Sequence, residues 1–191
     1  MPPKPEFDAP QAAGKDRLTL ITGPSRGGKT ALALRLAATR VPPRLYLATA
    51  QALDQEMVLR IHRHQEERGR DFETLEEPLA LVHALQGLRR RFSVVVIDCL
   101  TLWLSNLLGK WGDREDEVQE AAGSLIRFLS NFPVPTVIIS NEVGWGIVPE
   151  NALARRFRDL SGKVNQELAA SADRVILSVA GIPLVLKGPP L

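Results

Sequence analysis

The sequence is poor in cysteine, histidine and aromatic residues, and each shortage excludes a class of protein. A single cysteine, Cys99, rules out an intramolecular disulfide, and without a second cysteine there is no Cys-x-x-Cys motif to hold structural zinc. Histidines number only 3, at positions 62, 64 and 83. Aromatic residues make up 5% of the chain, so the core must be mainly aliphatic. A surface of interleaved aromatic and basic residues, on which single-stranded nucleic acid stacks, is not expected.

The chain also lacks a strong charge of one sign and a long hydrophobic run. Lys and Arg total 24 against 22 Asp and Glu, a net charge of +2, which is too near neutral for the extended basic face of a nucleic-acid-binding protein. The longest apolar run, 94–104, is interrupted by Asp98 and Thr101, and a bilayer span needs about 18 apolar residues. We therefore expect neither a nucleic-acid partner nor a membrane span.

What is present fits one domain of moderate size. The 191 residues are 45% hydrophobic and 24% charged, a balance that can bury a sizeable core. Residues 1–16 carry prolines and acidic residues where a secretory signal peptide needs an apolar segment. We predict a flexible tail over 1–16, a single domain over 17–191, and a cytoplasmic location, where the lone thiol stays reduced.

Apolar, β-branched segments alternate with helix-favouring segments along the predicted domain. The predicted strands are 17–22, 44–49, 72–75, 94–97, 134–140, 174–179 and 183–186. The predicted helices are 29–38, 54–68, 78–91, 100–108, 113–131 and 151–171. This alternation indicates an α/β fold with a mainly parallel, doubly wound sheet, flanking helices and a closing antiparallel strand pair.

A phosphate-binding loop lies between the first predicted strand and the first predicted helix. The residues match G-x-x-x-x-G-K-[ST], and their glycines let successive backbone amides and the helix N-terminus face phosphate oxygens. Lys29 adds a catalytic cation at the β- and γ-phosphates, and the Thr30 hydroxyl can bind Mg²⁺. The predicted phosphate-binding residues are Gly23, Pro24, Ser25, Arg26, Gly27, Gly28, Lys29 and Thr30. The fold is therefore expected to be of the P-loop NTPase type.

Asp98 closes the buried strand 94–97 and is the candidate second metal ligand. P-loop enzymes commonly hold Mg²⁺ with a carboxylate at the tip of a neighbouring strand, so we predict a site made by Thr30 and Asp98. The alternative role of Asp98 is to cap the helix that begins near Leu100. Cys99 has no basic partner in the sequence and is expected to be a small buried hydrophobe rather than a nucleophile.

A histidine flanked by arginines is the candidate nucleophile. On the predicted helix 54–68, His64 has Arg60 four residues before it and Arg68 four residues after it. Two cations are expected to lower the pKa of this imidazole, keep it neutral and nucleophilic, and hold the phosphate that it attacks. His62 projects from nearly the opposite face. From spacing alone, a solvated polar helix remains the alternative, and ATPase, GTPase, kinase and nucleotidyltransferase chemistry all remain open.

Longer motifs point to one family. The segment Asp54-Gln-Glu-Met, the Arg60-Ile-x-x-His64 motif and the Glu76-Glu-Pro turn occur in this order, followed by the segments 98–108, 141–150 and 155–173. Together they resemble the bifunctional adenosylcobinamide kinase/adenosylcobinamide-phosphate guanylyltransferase family of cobalamin biosynthesis. The resemblance covers about residues 18–187. Pro24, Gly27 and Phe72 depart from the residues common in the family.

This resemblance implies an activity and a set of site residues. The family uses Mg²⁺ with ATP or GTP to phosphorylate adenosylcobinamide, and then transfers GMP from GTP through a guanylylated histidine, here His64, to adenosylcobinamide phosphate. The product is adenosylcobinamide-GDP, and the assembly is a homo-oligomer based on a trimer. The further nucleotide contacts implied are Ala48, Thr49, Ala50, Gln65, Glu66, Glu67, Arg68, Glu76 and Asp98.

Several alternatives stay open at this stage. A plain P-loop small-molecule kinase with an inert His64, or a nucleotide-dependent regulatory or nucleic-acid-binding module, would share the same loop. Glu142 is expected either to orient Mg²⁺ or the substrate hydroxyl, or to brace its loop. The arginines at 155, 156 and 158 are expected to meet phosphate, a neighbouring subunit or solvent. The apolar segment 103–108 is available for a subunit contact, and the three tryptophans are expected in the core or in an interface. Trp145, between two glycines, is the best candidate among them for stacking on the corrin ring.

Overall fold

One seven-stranded sheet organises the chain in a computed structural model that describes residues 17–51, 55, 71–88 and 91–191. Its strands are β1 (Leu18–Thr22), β2 (Arg44–Ala48), β3 (Phe72–Glu76), β4 (Val95–Asp98), β5 (Thr136–Ile139), β6 (Arg174–Val179) and β7 (Ile182–Lys187). They lie in the order β3-β2-β4-β5-β1-β6-β7. All neighbours are parallel except β6 and β7, which pair antiparallel. The mainly parallel sheet with a closing antiparallel pair is confirmed.

Helices cover both faces of this sheet. They are α1 (Lys29–Ala38), α2 (Leu81–Gln86), α3 (Leu100–Trp111), α4 (Glu115–Asn131) and α5 (Ala152–Ser171), with a short 3-10 turn at Val143–Trp145. Apolar residues of α1 pack with one set of strand side chains, and those of α2 to α5 pack with the other set. The doubly wound arrangement is therefore confirmed for the described residues.

The alternation of side chains decides which helix each strand residue faces. In β4, Val96 packs on the α1 side, whereas Val95 and Ile97 pack on the side of α2 to α5. The same alternation places Asp98 on the α1 side. In β1, Leu18 and Leu20 pack against α2 to α5, so Thr22 lies on that side as well.

The strand order brings three loops to one edge of the sheet. Strand β5 lies between β1 and β4, with Ile139 opposite both Ile21 and Asp98. The loops that follow β1, β4 and β5 therefore leave the sheet side by side. Open α/β sheets bind their ligands at this carboxyl edge of the strands.

Local hydrogen bonding changes one predicted helix start. Pro78 was expected in a first helical turn, but α2 begins at Leu81. The reason is that Glu77 Oε1 accepts hydrogen bonds from Leu79 N at 2.9 Å and Ala80 N at 2.8 Å, which holds these residues in a turn before the helix. The predicted tail 1–16 and, apart from residue 55, the predicted helix 54–68 lie outside the described residues.

The apolar side chains of segment 103–108 lie in the core and are not available for a subunit contact. Trp103, Leu104, Leu107 and Leu108 are all buried in the core of the chain itself. The indole Nε1 of Trp103 also donates a hydrogen bond to Leu79 O at 2.9 Å, which satisfies its polar atom inside the core. Among the described helices, none is long and apolar enough to cross a bilayer.

Candidate functional site

The loop after β1 has the geometry of a phosphate cradle. Gly27 N donates to Pro24 O at 3.1 Å, which closes a tight turn, and Gly28 takes a positive φ of 89° at the start of α1. No side chain caps the first amides of α1, so these donors face the loop. Lys29 is 7% exposed, and its Nζ donates to Gly23 O at 3.0 Å and to Pro24 O at 2.7 Å. The cation therefore lies within the curl of the loop.

The end of β6 and the turn that leads into β7 support this loop. Ser178 Oγ donates to Gly27 O at 2.7 Å, and Gly181 N donates to the same oxygen at 3.1 Å. A Cβ atom would lie 2.3 Å from Ser178 O at Gly23 and 2.5 Å from it at Gly27. Both positions therefore require glycine because the backbone of β6 approaches so closely at Ser178. The sequence gives only a weak signal of this contact, a single serine in an apolar strand.

Asp98 lies against the first turn of α1. Thr30 Oγ1 donates to Asp98 Oδ2 at 2.9 Å, and the Tyr46 hydroxyl donates to the same oxygen. The proposed capping role of Asp98 is wrong: the residue that caps α3 is Cys99, whose Sγ accepts from Leu102 N at 3.4 Å. The Asp98 carboxylate is thus held beside the phosphate cradle instead.

The Thr30 and Asp98 pair has the donor chemistry that Mg²⁺ requires. Hydroxyl and carboxylate oxygens are hard ligands, and Mg²⁺ in nucleotide enzymes binds one or two carboxylates together with substrate phosphates and water. Within the described ranges, no cluster of three or more Asp, Glu, His or Cys residues could hold a metal by itself. These two residues therefore fit a magnesium ion whose remaining ligands come from the nucleotide and water.

Two of the further nucleotide contacts implied by the resemblance, Ala48 and Glu76, lie level with Asp98 at the carboxyl edge. Ala48 pairs with Glu76 of β3 on one side and with Asp98 of β4 on the other. Thr49 is fully buried, and its hydroxyl accepts from Cys99 N and donates to Cys99 O, both at 2.8 Å. Its side chain therefore anchors the chain after Asp98. Ala50 follows and is half-buried.

Glu142 also follows a central strand but faces the opposite side of the sheet. Its Oε1 accepts from Thr22 Oγ1 at 2.5 Å and from Asn165 Nδ2 at 3.1 Å. Asn165, on α5, also accepts from Ser140 Oγ at 2.6 Å. Glu142 N donates to Gly23 O at 3.1 Å, which ties this loop to the phosphate cradle. These contacts favour the bracing role for Glu142.

Some of the other candidates bind partners within the chain, and others lie outside the residues that the structure describes. Arg155 binds the carbonyls of Pro149 and Glu150, and Arg156 forms ion pairs on α4 and just before it. Arg158 pairs with Asp159. Trp145 is 60% exposed. The remaining candidates lie outside the described ranges, and their roles stay predictions. They are Arg60, His62, His64, Gln65, Glu66, Glu67 and Arg68.

The single thiol takes no part in this arrangement. Burial raises the pKa of Cys99 to about 12, and the negative charge of Asp98 adds to the shift. A thiol that stays protonated is a poor nucleophile. The expectation that Cys99 is a small buried hydrophobe is confirmed.

Comparisons with known proteins identify the family. Residues 19–186 match the model of the cobinamide kinase/cobinamide phosphate guanyltransferase family. The chain belongs to this family. The bifunctional adenosylcobalamin biosynthesis protein CobP of Pseudomonas aeruginosa is 42% identical over 172 residues, which cover 90% of this chain and 98% of the relative. The bifunctional adenosylcobalamin biosynthesis protein CobU of Escherichia coli is 38% identical over 181 residues, which cover 89% of this chain and 99% of the relative.

Solved structures support the fold at lower similarity. An ATPase of the type III secretion system of pathogenic bacteria superposes with a TM-score of 0.50 at 13% identity. The match covers 84% of this chain and 50% of the ATPase. The likeness concerns the fold alone.

Proposed function

We propose that this protein phosphorylates adenosylcobinamide and then converts the phosphate to adenosylcobinamide-GDP. The observation that carries the proposal is the phosphate cradle with Lys29 inside it and the Thr30–Asp98 pair beside it, in a chain that belongs to the cobinamide kinase/cobinamide phosphate guanyltransferase family. A phosphate cradle alone fits many reactions. Family membership narrows the choice to this pair of transfers.

In the first step, the cradle holds the triphosphate of ATP or GTP. The substrate hydroxyl oxygen attacks the γ-phosphorus and releases its proton to water, the bond to the bridging β-γ oxygen breaks, and the nucleoside diphosphate leaves. The amides of α1 and the Lys29 ammonium stabilise the charge on the transferred group. Magnesium held by Thr30 and Asp98 would neutralise charge on the β- and γ-oxygens.

In the second step, we propose that His64 is the nucleophile. An imidazole nitrogen attacks the α-phosphorus of GTP, and pyrophosphate leaves as the bond to the β-phosphate oxygen breaks. An oxygen of adenosylcobinamide phosphate then attacks the same phosphorus, and the phosphorus–nitrogen bond breaks. Covalent capture divides one difficult transfer into two displacements. Arg60 and Arg68 support the assignment because each lies one helical turn from His64 in the predicted helix.

Labelling of the protein tests this second step. Incubation with GTP labelled at the α-phosphate should leave label on the protein that is stable in base and labile in acid, as a phosphoramidate is. The His64→Ala variant should take up no label, whereas the matched His62→Ala variant should label normally. Normal labelling of His64→Ala would contradict the assignment of His64 as the nucleophile. If the wild type phosphorylates cobinamide but takes up no label from GTP, the protein is a plain P-loop kinase.

We also propose a homo-oligomer based on a trimer, as the resemblance implies. The exposed apolar side chains on the edge strand β7 support a subunit contact there, since Ile182, Leu184 and Leu186 are each 57–59% exposed. Sedimentation should give a mass above that of one chain, and a strict monomer would remove this proposal. We assign the reaction to the cytoplasm, where ATP and GTP are supplied.

A further inference from the structure

Tyr46 is the only tyrosine of the chain, and it lies in the middle of the buried strand β2. The residue is 1% exposed, and its ring packs on the α1 side of the sheet with Ile21 and Val96. Its hydroxyl donates a hydrogen bond to Asp98 Oδ2. The motifs behind the family resemblance do not include this residue, and the sequence does not show which group it meets.

The two oxygens of the Asp98 carboxylate have different surroundings. Oδ2 accepts from both Tyr46 and Thr30, whereas Oδ1 accepts no hydrogen bond from the part of the chain that the structure describes. Two donors on one oxygen fix the rotation of the carboxylate group. The carboxylate held in this way lies next to the phosphate cradle.

The residue that follows β2 holds the main chain after this carboxylate as well. Thr49, three residues after Tyr46, binds both the amide and the carbonyl of Cys99 through its hydroxyl. Its own carbonyl accepts from Asn106 Nδ2 at 2.8 Å, which ties the end of β2 to α3. The side chain of Asp98 is therefore held by Tyr46 of β2, and the following peptide by Thr49, directly after β2.

We propose that Tyr46 is a positioning residue that acts through Asp98 to hold the metal–nucleotide complex. The inference rests on the proposed function, because it assumes that Thr30 and Asp98 bind the divalent ion of a nucleotide on the cradle. Removal of the phenol hydroxyl frees the carboxylate to rotate, so a divalent ion loses a pre-oriented ligand. Groups that orient a metal ligand commonly change metal affinity by about 10- to 100-fold.

The test is Mn²⁺ binding by the Tyr46→Phe variant in the presence of a non-hydrolysable GTP analogue, followed by electron paramagnetic resonance. Phenylalanine keeps the buried ring and removes only the hydroxyl. We expect Mn²⁺ to bind about tenfold more weakly than to the wild type. Binding of the same analogue in EDTA should stay within about twofold, because the amides and Lys29 of the cradle are intact.

A matched control removes a different buried hydroxyl. Thr136 lies at the start of β5, is 3% exposed, and donates to Val134 O at 3.0 Å, away from Asp98. Thr136→Val should lose some stability and leave Mn²⁺ binding unchanged. Equal Mn²⁺ affinity in Tyr46→Phe and wild type would overturn the inference, since Tyr46 would then be only a core residue with a satisfied hydroxyl.

A double variant tests the route through Asp98. If Tyr46 acts only by orienting that carboxylate, Tyr46→Phe should add less than about twofold to the Mn²⁺ loss already caused by Asp98→Asn. Independent, additive losses would contradict the inference. A wild type that binds no Mn²⁺ with the analogue would contradict the proposed function as well, whereas normal wild-type binding with an unaffected Tyr46→Phe contradicts the inference alone.

Discussion

Asp98 and Glu142 are two carboxylates at the same edge of one sheet, yet they face opposite sides of it. Asp98 ends β4 and meets Thr30 of α1, whereas Glu142 follows β5 and meets Thr22 and Asn165. In each case a threonine hydroxyl donates to one carboxylate oxygen. The first threonine belongs to the phosphate cradle, and the second ends the strand that precedes it.

The difference shows that position at the end of a buried strand does not by itself decide which face of the sheet a carboxylate reaches. The alternation of β4 sends Asp98 toward the helix that carries the phosphate amides. The Glu142 carboxylate reaches the other face, where α5 supplies the donor. We therefore propose that Asp98 binds the divalent ion and that Glu142 supports its loop. The matched variants below separate the two roles.

The largest effect is expected from loss of charge at Asp98. Asp98→Asn keeps an acceptor oxygen for Thr30 and Tyr46 but removes the negative charge for the metal, so kcat of cobinamide phosphorylation should fall about 100-fold or more. Glu142→Gln keeps the oxygen that Thr22 and Asn165 bind, and kcat should stay within about threefold. Initial rates at saturating nucleotide and Mg²⁺ measure both. A larger loss in Glu142→Gln than in Asp98→Asn would reverse the assignment.

The two threonines extend this comparison to the partners of the carboxylates. Thr30→Val removes the hydroxyl that we propose as the second metal ligand, so the Mg²⁺ concentration for half-maximal rate should rise about tenfold. Thr22→Val removes a hydrogen bond to Glu142 and should leave this concentration unchanged. Titration of the rate with Mg²⁺ gives both values. Equal shifts in the two variants would show that both carboxylates serve the metal.

A smaller effect is expected from the support network. Asn165→Ala removes the donor to Glu142 and the acceptor of Ser140 Oγ, leaving a buried hydroxyl without this partner. The free energy of unfolding should fall by about 1–3 kcal/mol, measured by urea denaturation. The apparent Mg²⁺ requirement should remain that of the wild type. A changed Mg²⁺ requirement would link α5 to the metal site instead.

The smallest effect concerns the thiol next to Asp98. The Cys99 pKa rises from 9.0 to about 12 in the folded state, so between these values the unfolded chain has released this proton and the folded chain has not. The thiol therefore contributes stability below pH 9 that is lost as pH rises toward 12. Cys99→Ala should make the free energy of unfolding less dependent on pH in this range. An unchanged pH dependence in denaturation curves would contradict the raised pKa.

Much of the phosphate cradle could be predicted from the sequence because its motif fixes a strand, a loop and a helix within a few residues. The predicted helix 29–38 has the bounds of α1. The two roles offered for Asp98 could not be separated in this way, since a cap and a metal ligand both stand before a helix. The structure excludes the cap, because Cys99 caps α3, and the position of β2 beside β4 brings Tyr46 to Asp98. The metal role of Asp98 stays a prediction.

Two further positions depend on contacts that the sequence does not show, one local and one between distant segments. The sequence favours Pro78 in a first helical turn. The start of α2 instead depends on the hydrogen bonds that the Glu77 carboxylate accepts from Leu79 N and Ala80 N. Trp103 and the leucines after it form an apolar stripe that fits a core or a subunit contact equally well. Only the packing of α3 against the sheet shows that this stripe is internal.

The most direct test is the product formed from adenosylcobinamide, GTP and Mg²⁺, identified by mass spectrometry for the wild type, Asp98→Asn and Glu142→Gln. The account predicts adenosylcobinamide-GDP from the wild type, nearly as much from Glu142→Gln, and almost none from Asp98→Asn. Adenosylcobinamide phosphate as the final product of the wild type, or full product from Asp98→Asn, would contradict it.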